Sequence, residues 1–94
     1  MDKELTSTVS IIRFILNNTE RTWSDNMEIL IKATYNKGDT FTLKDIYEKF
    51  EHILQLKYPL NYTIKASIRA NLQVLRDKNI IRFIDNIGNY ILID

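Results

Sequence analysis

Residues 59–79 read Pro-Leu-Asn-Tyr-Thr-Ile-Lys-Ala-Ser-Ile-Arg-Ala-Asn-Leu-Gln-Val-Leu-Arg-Asp-Lys-Asn, and the rest of the chain is arranged to hold them. At about 100° of rotation per residue, Ile64, Ile68, Leu72 and Leu75 fall within an arc of roughly 80°, the width of a stripe pressed onto a core. The opposite side carries Ala66, Arg69, Ala70 and Gln73. A merely solvated face is usually rich in Lys and Glu. Here alanines remove bulk, while Arg and Gln offer planar, directional hydrogen bonds. Such a face suits an edge that has to be read, and base pairs in the major groove of duplex DNA present one. Both ends of the predicted helix are punctuated. Pro59 cannot continue a preceding helix and biases Tyr58 away from the α region, and Asn61 and Thr63 are both candidate N-caps. At the far end Lys78 lies in the last turn, and Asn79 suits the left-handed residue that ends a helix.

Composition bounds the answer. Ninety-four residues with 45% hydrophobic and 27% charged side chains make one globular domain with a single core. No apolar run approaches the ~20 residues needed to cross a bilayer, and no membrane partner is expected. The first residues lack the basic, apolar, small-residue order of a signal peptide. There is no cysteine, which excludes disulfides and thiolate metal sites and makes the cytoplasm, beside the nucleoid, the expected location. The net charge is only +1, but it is unevenly spread. Between Lys57 and Lys78 five basic residues (Lys57, Lys65, Arg69, Arg76, Lys78) face Asp77 alone, a net of +4, so the remainder sums to −3. A binding footprint depends on local field rather than on the total.

Outward from that stretch, the pattern is helical on the N-terminal side. Leu5, Val9, Ile12 and Ile15 or Leu16 recur every three to four residues and predict an amphipathic helix from about Thr6 to Asn17. Its apolar face must dock on the body or on a second copy of the chain, so a homodimer through this helix is a candidate assembly. Residues 1–22 are read as an N-terminal helical extension and residues 23–94 as the domain proper. Ser24 or Asp25 is expected to cap a second helix bearing Met27, Leu30 and Ile31, with Trp23 just before the cap as a staple. After a stop at Asn36-Lys37-Gly38-Asp39 comes one short strand, Thr40-Phe41-Thr42. Thr42 then caps a helix in which Leu43, Ile46, Tyr47 and Phe50 recur at helical spacing, extended or restarted by Ile53, Leu54 and Leu56.

A helix, a tight connection and a second helix with a readable face is the helix-turn-helix arrangement. Downstream, Ile80-Ile81-Arg82-Phe83-Ile84 and Tyr90-Ile91-Leu92-Ile93 flank Asp85-Asn86-Ile87-Gly88-Asn89, the signature of a β-hairpin. The expected fold is therefore mainly α with a small β-hairpin: one winged helix-turn-helix domain, its hairpin loop the wing.

These residues also resemble a known family. Phe41-Thr42-Leu43-Lys44-Asp45-Ile46-Tyr47, Tyr58-Pro59-Leu60-Asn61, Ile64-Lys65-Ala66-Ser67-Ile68-Arg69 with Leu72-Gln73-Val74-Leu75-Arg76-Asp77, and Phe83 with Gly88 and Tyr90 are similar, in order and spacing, to the C-terminal winged-helix domain of DpnI-type, Dam-replacing restriction endonucleases. The resemblance covers roughly Trp23 to Leu92. It implies a module that binds duplex DNA and helps sense N6-methyladenine, typically in a GATC context, beside a separate nuclease domain of restriction-modification systems. Asn61, Lys65, Ala66, Arg69, Gln73 and Arg76 match motif positions. The chain departs from the pattern at Asn79, where the family usually has glycine, and in a wing poorer in glycine and basic residues.

The chemistry follows from the groove. N6-methyladenine places a methyl group in the major groove, where Ala66 and Ala70 allow close approach and offer methyls of their own. Arg69 is placed to bind guanine O6 and N7, and a good bidentate pair discriminates by roughly 1–3 kcal/mol. The expected base-reading set is Thr63, Ala66, Arg69, Ala70 and Gln73. The expected backbone set is Lys57, Asn61, Tyr62, Lys65, Arg76 and Lys78, fixing register on the phosphates. Tyr47, Tyr58 and Phe83 are core aromatics by spacing, and His52, the only histidine, has no partner set for metal or base chemistry. No Glu-x-Lys or Asp-x-Lys occurs, so a carboxylate-and-lysine nuclease site has no candidate; neither enzyme activity nor a cofactor is expected. Two other readings use the same fold: a transcriptional regulator indifferent to methylation, and a winged helix used for protein association, which the near-neutral charge and weak wing would suit.

Overall fold

The computed structural model describes residues 3–17 and 19–94, with side chains for 10–17 and 19–94. Four helices and a small sheet follow in the order α1 (Lys3–Asn17), α2 (Trp23–Thr34), β1 (Thr40–Thr42), α3 (Leu43–Lys57), α4 (Ile64–Asp77), β2 (Ile81–Phe83) and β3 (Asn89–Leu92). This is a winged helix-turn-helix. The helix at α1 starts three residues before the expected Thr6. Of its apolar positions, Leu5 and Val9 lie outside the described side chains, while Ile15 is fully buried in the core. That face is therefore docked, at least through Ile15, on the body of the same chain.

Local chemistry sets the helix starts. α2 is capped by Thr22, not by Ser24 or Asp25: Thr22 Oγ1 accepts the Asp25 N–H at 3.2 Å, and Asp25 Oδ2 accepts the Thr22 N–H at 3.1 Å. This reciprocal capping box satisfies two orphan donors where a lone Ser24 cap would satisfy one. It also moves Trp23 from ahead of the helix into its first turn, where the indole stacks on Tyr58 with ring centres 4.7 Å apart. α3 starts on Thr42 as expected, with the same box closed by Asp45, and runs through Lys57 as one helix.

The end of α4 is built as its last residues predict. Asn79 has φ of 61°, its N–H bonds to the Arg76 carbonyl, and the Ile80 N–H reaches back to the Leu75 carbonyl, both at 3.0 Å. This is the Schellman pattern, and Leu75 and Ile80, the residues it brings together, are both buried. Ile64, Ile68, Leu72 and Leu75 are all buried, so the predicted stripe is the one that anchors α4 against α2 and α3.

The strands pair antiparallel in the order β1-β3-β2. Phe41 and Phe83 both lie opposite Tyr90, which puts three aromatics on the face that meets the helices, with ring centres 5.6 Å and 4.9 Å from Tyr90. Such pairs add about 0.5–1.5 kcal/mol each beyond area burial. Two backbone bonds seat the wing: Leu43 N–H on the Gly88 carbonyl and Ile84 N–H on the Asn89 carbonyl, both 2.9 Å. Gly88 has φ of 92°, and a Cβ there would meet Leu43 Cβ at 3.2 Å. Glycine is thus required for both its backbone conformation and the approach to α3.

Candidate nucleic-acid interface

With the aliphatic stripe inward, Ala66, Arg69, Ala70 and Gln73 are all exposed along the outer side of α4. The four residues expected to read bases along the helix therefore share one open face, and Thr63 stands exposed at its amino end. Lys65 and Arg76 are exposed on the same helix.

Three cations near this face are held rather than loose. Arg69 Nη1 donates to the hydroxyl oxygen of Tyr47 at 2.8 Å. Lys65 Nζ lies 5.3 Å from the centre of the Tyr47 ring and 3.9 Å from Glu51 Oε1. The Arg76 guanidinium sits 4.6 Å from the centre of the Phe83 ring on β2, with Nε 3.3 Å from Asp77 Oδ1. These pairs are solvent-exposed, so each ion pair contributes at most about 1 kcal/mol to stability. Their effect is on orientation. Arg69 commits one of its five N–H donors and keeps the others.

The turn between α3 and α4 positions the helix start. Asn61 Oδ1 accepts the Thr63 N–H at 2.7 Å and the Thr63 hydroxyl at 3.2 Å, and its Nδ2 donates to Ser67 Oγ at 2.9 Å. The Gln55 side chain holds the turn from the α3 side, donating to the carbonyls of Tyr58 and Asn61. Asn61 is thus engaged at both ends of its amide in shaping the turn, and Thr63, at the N-cap, makes no side-chain cap bond. The amino end of α4 consequently keeps its partial positive charge without a capping side chain. Leu60 and Tyr62 project from the turn at 82% and 88% exposure.

Two members of the expected backbone set stand apart. Lys57 is half-buried, its Nζ directed at the Leu16 carbonyl at 3.5 Å, against the last turn of α1. Lys78 lies past the end of α4, exposed but near enough to Asp25 at the start of α2 to help hold that carboxyl low. Both stand close to α4 in sequence, yet Lys57 reaches α1 and Lys78 lies near a carboxyl of α2.

Tyr47 was missed. Helical spacing assigns its ring to the core, and the ring does pack there, but spacing is silent about the hydroxyl, which reaches Arg69. Asp85 accepts the N–H groups of Ile87 and Asn89 and the Asn89 side-chain amide, which holds its carboxyl below the usual range, the Asn89 side chain contributing most. The loop so ordered exposes Ile87 at 85%. Among the described residues no group of three or more His, Asp or Glu could hold a metal ion, and no helix is long and apolar enough to cross a membrane. The pattern of one known protein family, described as the Dam-replacing HTH domain, matches residues 19–91.

Proposed function

The chain belongs to the Dam-replacing HTH domain family, which makes it a DNA-binding winged-helix module, and on that premise we propose that it reads N6-methyladenine in a GATC-like duplex. The HTH domain is not itself catalytic. In this reading residues 23–94 carry recognition, α1 docks on the core through Ile11 and Ile15, and α4 enters the major groove. The observation that carries it is the outer face of α4, where Arg69 stands between Ala66 and Ala70 and all three are open to solvent. Arg69 reads a guanine edge, while the two alanine methyls form an apolar surface for the adenine methyl. Thr63 and Gln73 supplement the base contacts, and Lys65, Tyr62 and Arg76 lie toward the phosphates.

Magnitudes divide the labour. One buried methyl contributes only about 0.8 kcal/mol, roughly fourfold in affinity. Arginine on guanine contributes about 1–3 kcal/mol. Sequence choice therefore rests on Arg69, and methylation adds a smaller increment unless the unmethylated amino group is also disfavoured.

Fluorescence anisotropy with unmethylated, hemimethylated and fully methylated GATC duplexes, over a series of salt concentrations, tests the reading. Tighter binding to methylated duplex, weakening with salt, is expected. Equal affinity for all three would favour a methylation-independent regulator, and no affinity for any duplex at low salt would leave the fold to protein association.

A further inference from the structure

We infer that Tyr47 of α3 is a positioning residue for DNA readout, setting the reach of Arg69 and Lys65 before the duplex arrives; this rests on the reading above. Three contacts converge on one site. The Tyr47 hydroxyl accepts from Arg69 Nη1 at 2.8 Å, the Tyr47 ring lies 5.3 Å from Lys65 Nζ, and Glu51, one turn further along α3, stands 3.9 Å from the same ammonium. The ring itself is anchored against the core, so the hydroxyl is a fixed point on a rigid helix. Arginine and lysine are long side chains that lose much rotamer freedom when they bind. Tethering them in the free protein removes part of that ordering cost from the binding step. The bond uses one guanidinium donor and leaves the others for a base edge. The ring packs against the core, while the hydroxyl's contact is with Arg69 on α4.

Tyr47→Phe removes the hydroxyl and keeps the ring. Affinity is measured for a fully N6-methylated GATC duplex and for a duplex of equal length and composition without GATC, beside Arg69→Ala and the double variant. The expected result for Tyr47→Phe is a five- to tenfold loss on the GATC duplex, less than twofold on the other, with the salt slope and thermal midpoint unchanged. Arg69→Ala should lose at least tenfold, and the double variant should be no weaker than Arg69→Ala, since both act through one contact. Unchanged GATC affinity in Tyr47→Phe, equal loss on both duplexes, or additive losses would overturn the positioning role while leaving Arg69 as the reader. If the unmodified chain does not distinguish the two duplexes, or Arg69→Ala binds as well as it does, the recognition reading fails and this inference with it.

Discussion

Arg76 on α4 lies over the ring of Phe83 on β2, its guanidinium carbon 4.6 Å from the ring centre. That contact ties the exposed helix to β2, the strand that leads into the wing loop. The loop bears no cation; its most exposed side chain is Ile87. Ile87→Lys should therefore tighten DNA binding severalfold and steepen the slope of log affinity against log salt by about 0.9, the value of one added phosphate contact. An unchanged slope in the salt titration would mean that the wing points away from the duplex.

Ala66, like Ala70, offers the smallest side chain on the open face of α4, which is what a close approach to a base edge requires. Ala66→Leu should reduce the preference for methylated over unmethylated GATC duplex more than it reduces affinity for either, because the added bulk fills the space the methyl would occupy. Paired anisotropy titrations give both numbers. Equal loss on the two duplexes would count against a methyl-contacting surface.

The φ of 61° at Asn79 suits glycine, which has no Cβ, and asparagine, whose short polar side chain can hydrogen-bond locally, but is unfavourable for other residues. Asn79→Ala should lower stability by about 1–2 kcal/mol, while Asn79→Gly should match the natural chain or exceed it. Urea denaturation of the three proteins decides this. An alanine variant as stable as the others would show that the backbone relaxes out of the left-handed region without penalty.

Asp25 and Asp45 hold their carboxyls below the ordinary value of 3.8, chiefly because each accepts the backbone N–H of its capping threonine, Thr22 and Thr42. A carboxyl lowered by folding stabilises the fold fully above the unfolded value, and the contribution is lost as pH falls through the lowered one. Thermal midpoints should hold steady above about pH 5 and decline in more acid solution. Asp45→Asn should be less stable near neutrality and converge on the natural chain in acid. Thr42→Ala should cost about 1 kcal/mol from the loss of the same cap.

Much of the architecture was legible because it is written in local signals. Thr42 and Asn79 announce their caps by residue type, the stripe from Ile64 to Leu75 announces its buried side by period, and Asn86, Gly88 and Asn89 between two β-rich runs announce the hairpin. The cap of α2 was misplaced because Ser24-Asp25 and Thr22-x-x-Asp25 compete at adjacent positions, and only the second satisfies donors reciprocally. The open face of α4 was readable for the same reason as its buried face. What could not be read were relations between elements: the Tyr47 hydroxyl on Arg69, Lys57 turned to α1, and Asn61 spent within its own turn. Periodicity locates the body of a side chain, and a polar tip finds its partner only in three dimensions.

Between the end of α4 and the start of β2 stand only Lys78, Asn79 and Ile80, and all three are fixed by the terminal bonds of the helix. On the proposed reading, α4 and the hairpin joined so tightly behave like the fixed jaws of a gauge. If both meet DNA as proposed, a groove of the wrong width is matched chiefly by deforming the duplex, whose stiffness varies with its sequence. Base pairs that no side chain touches would then take part in the choice of target, through how readily they bend.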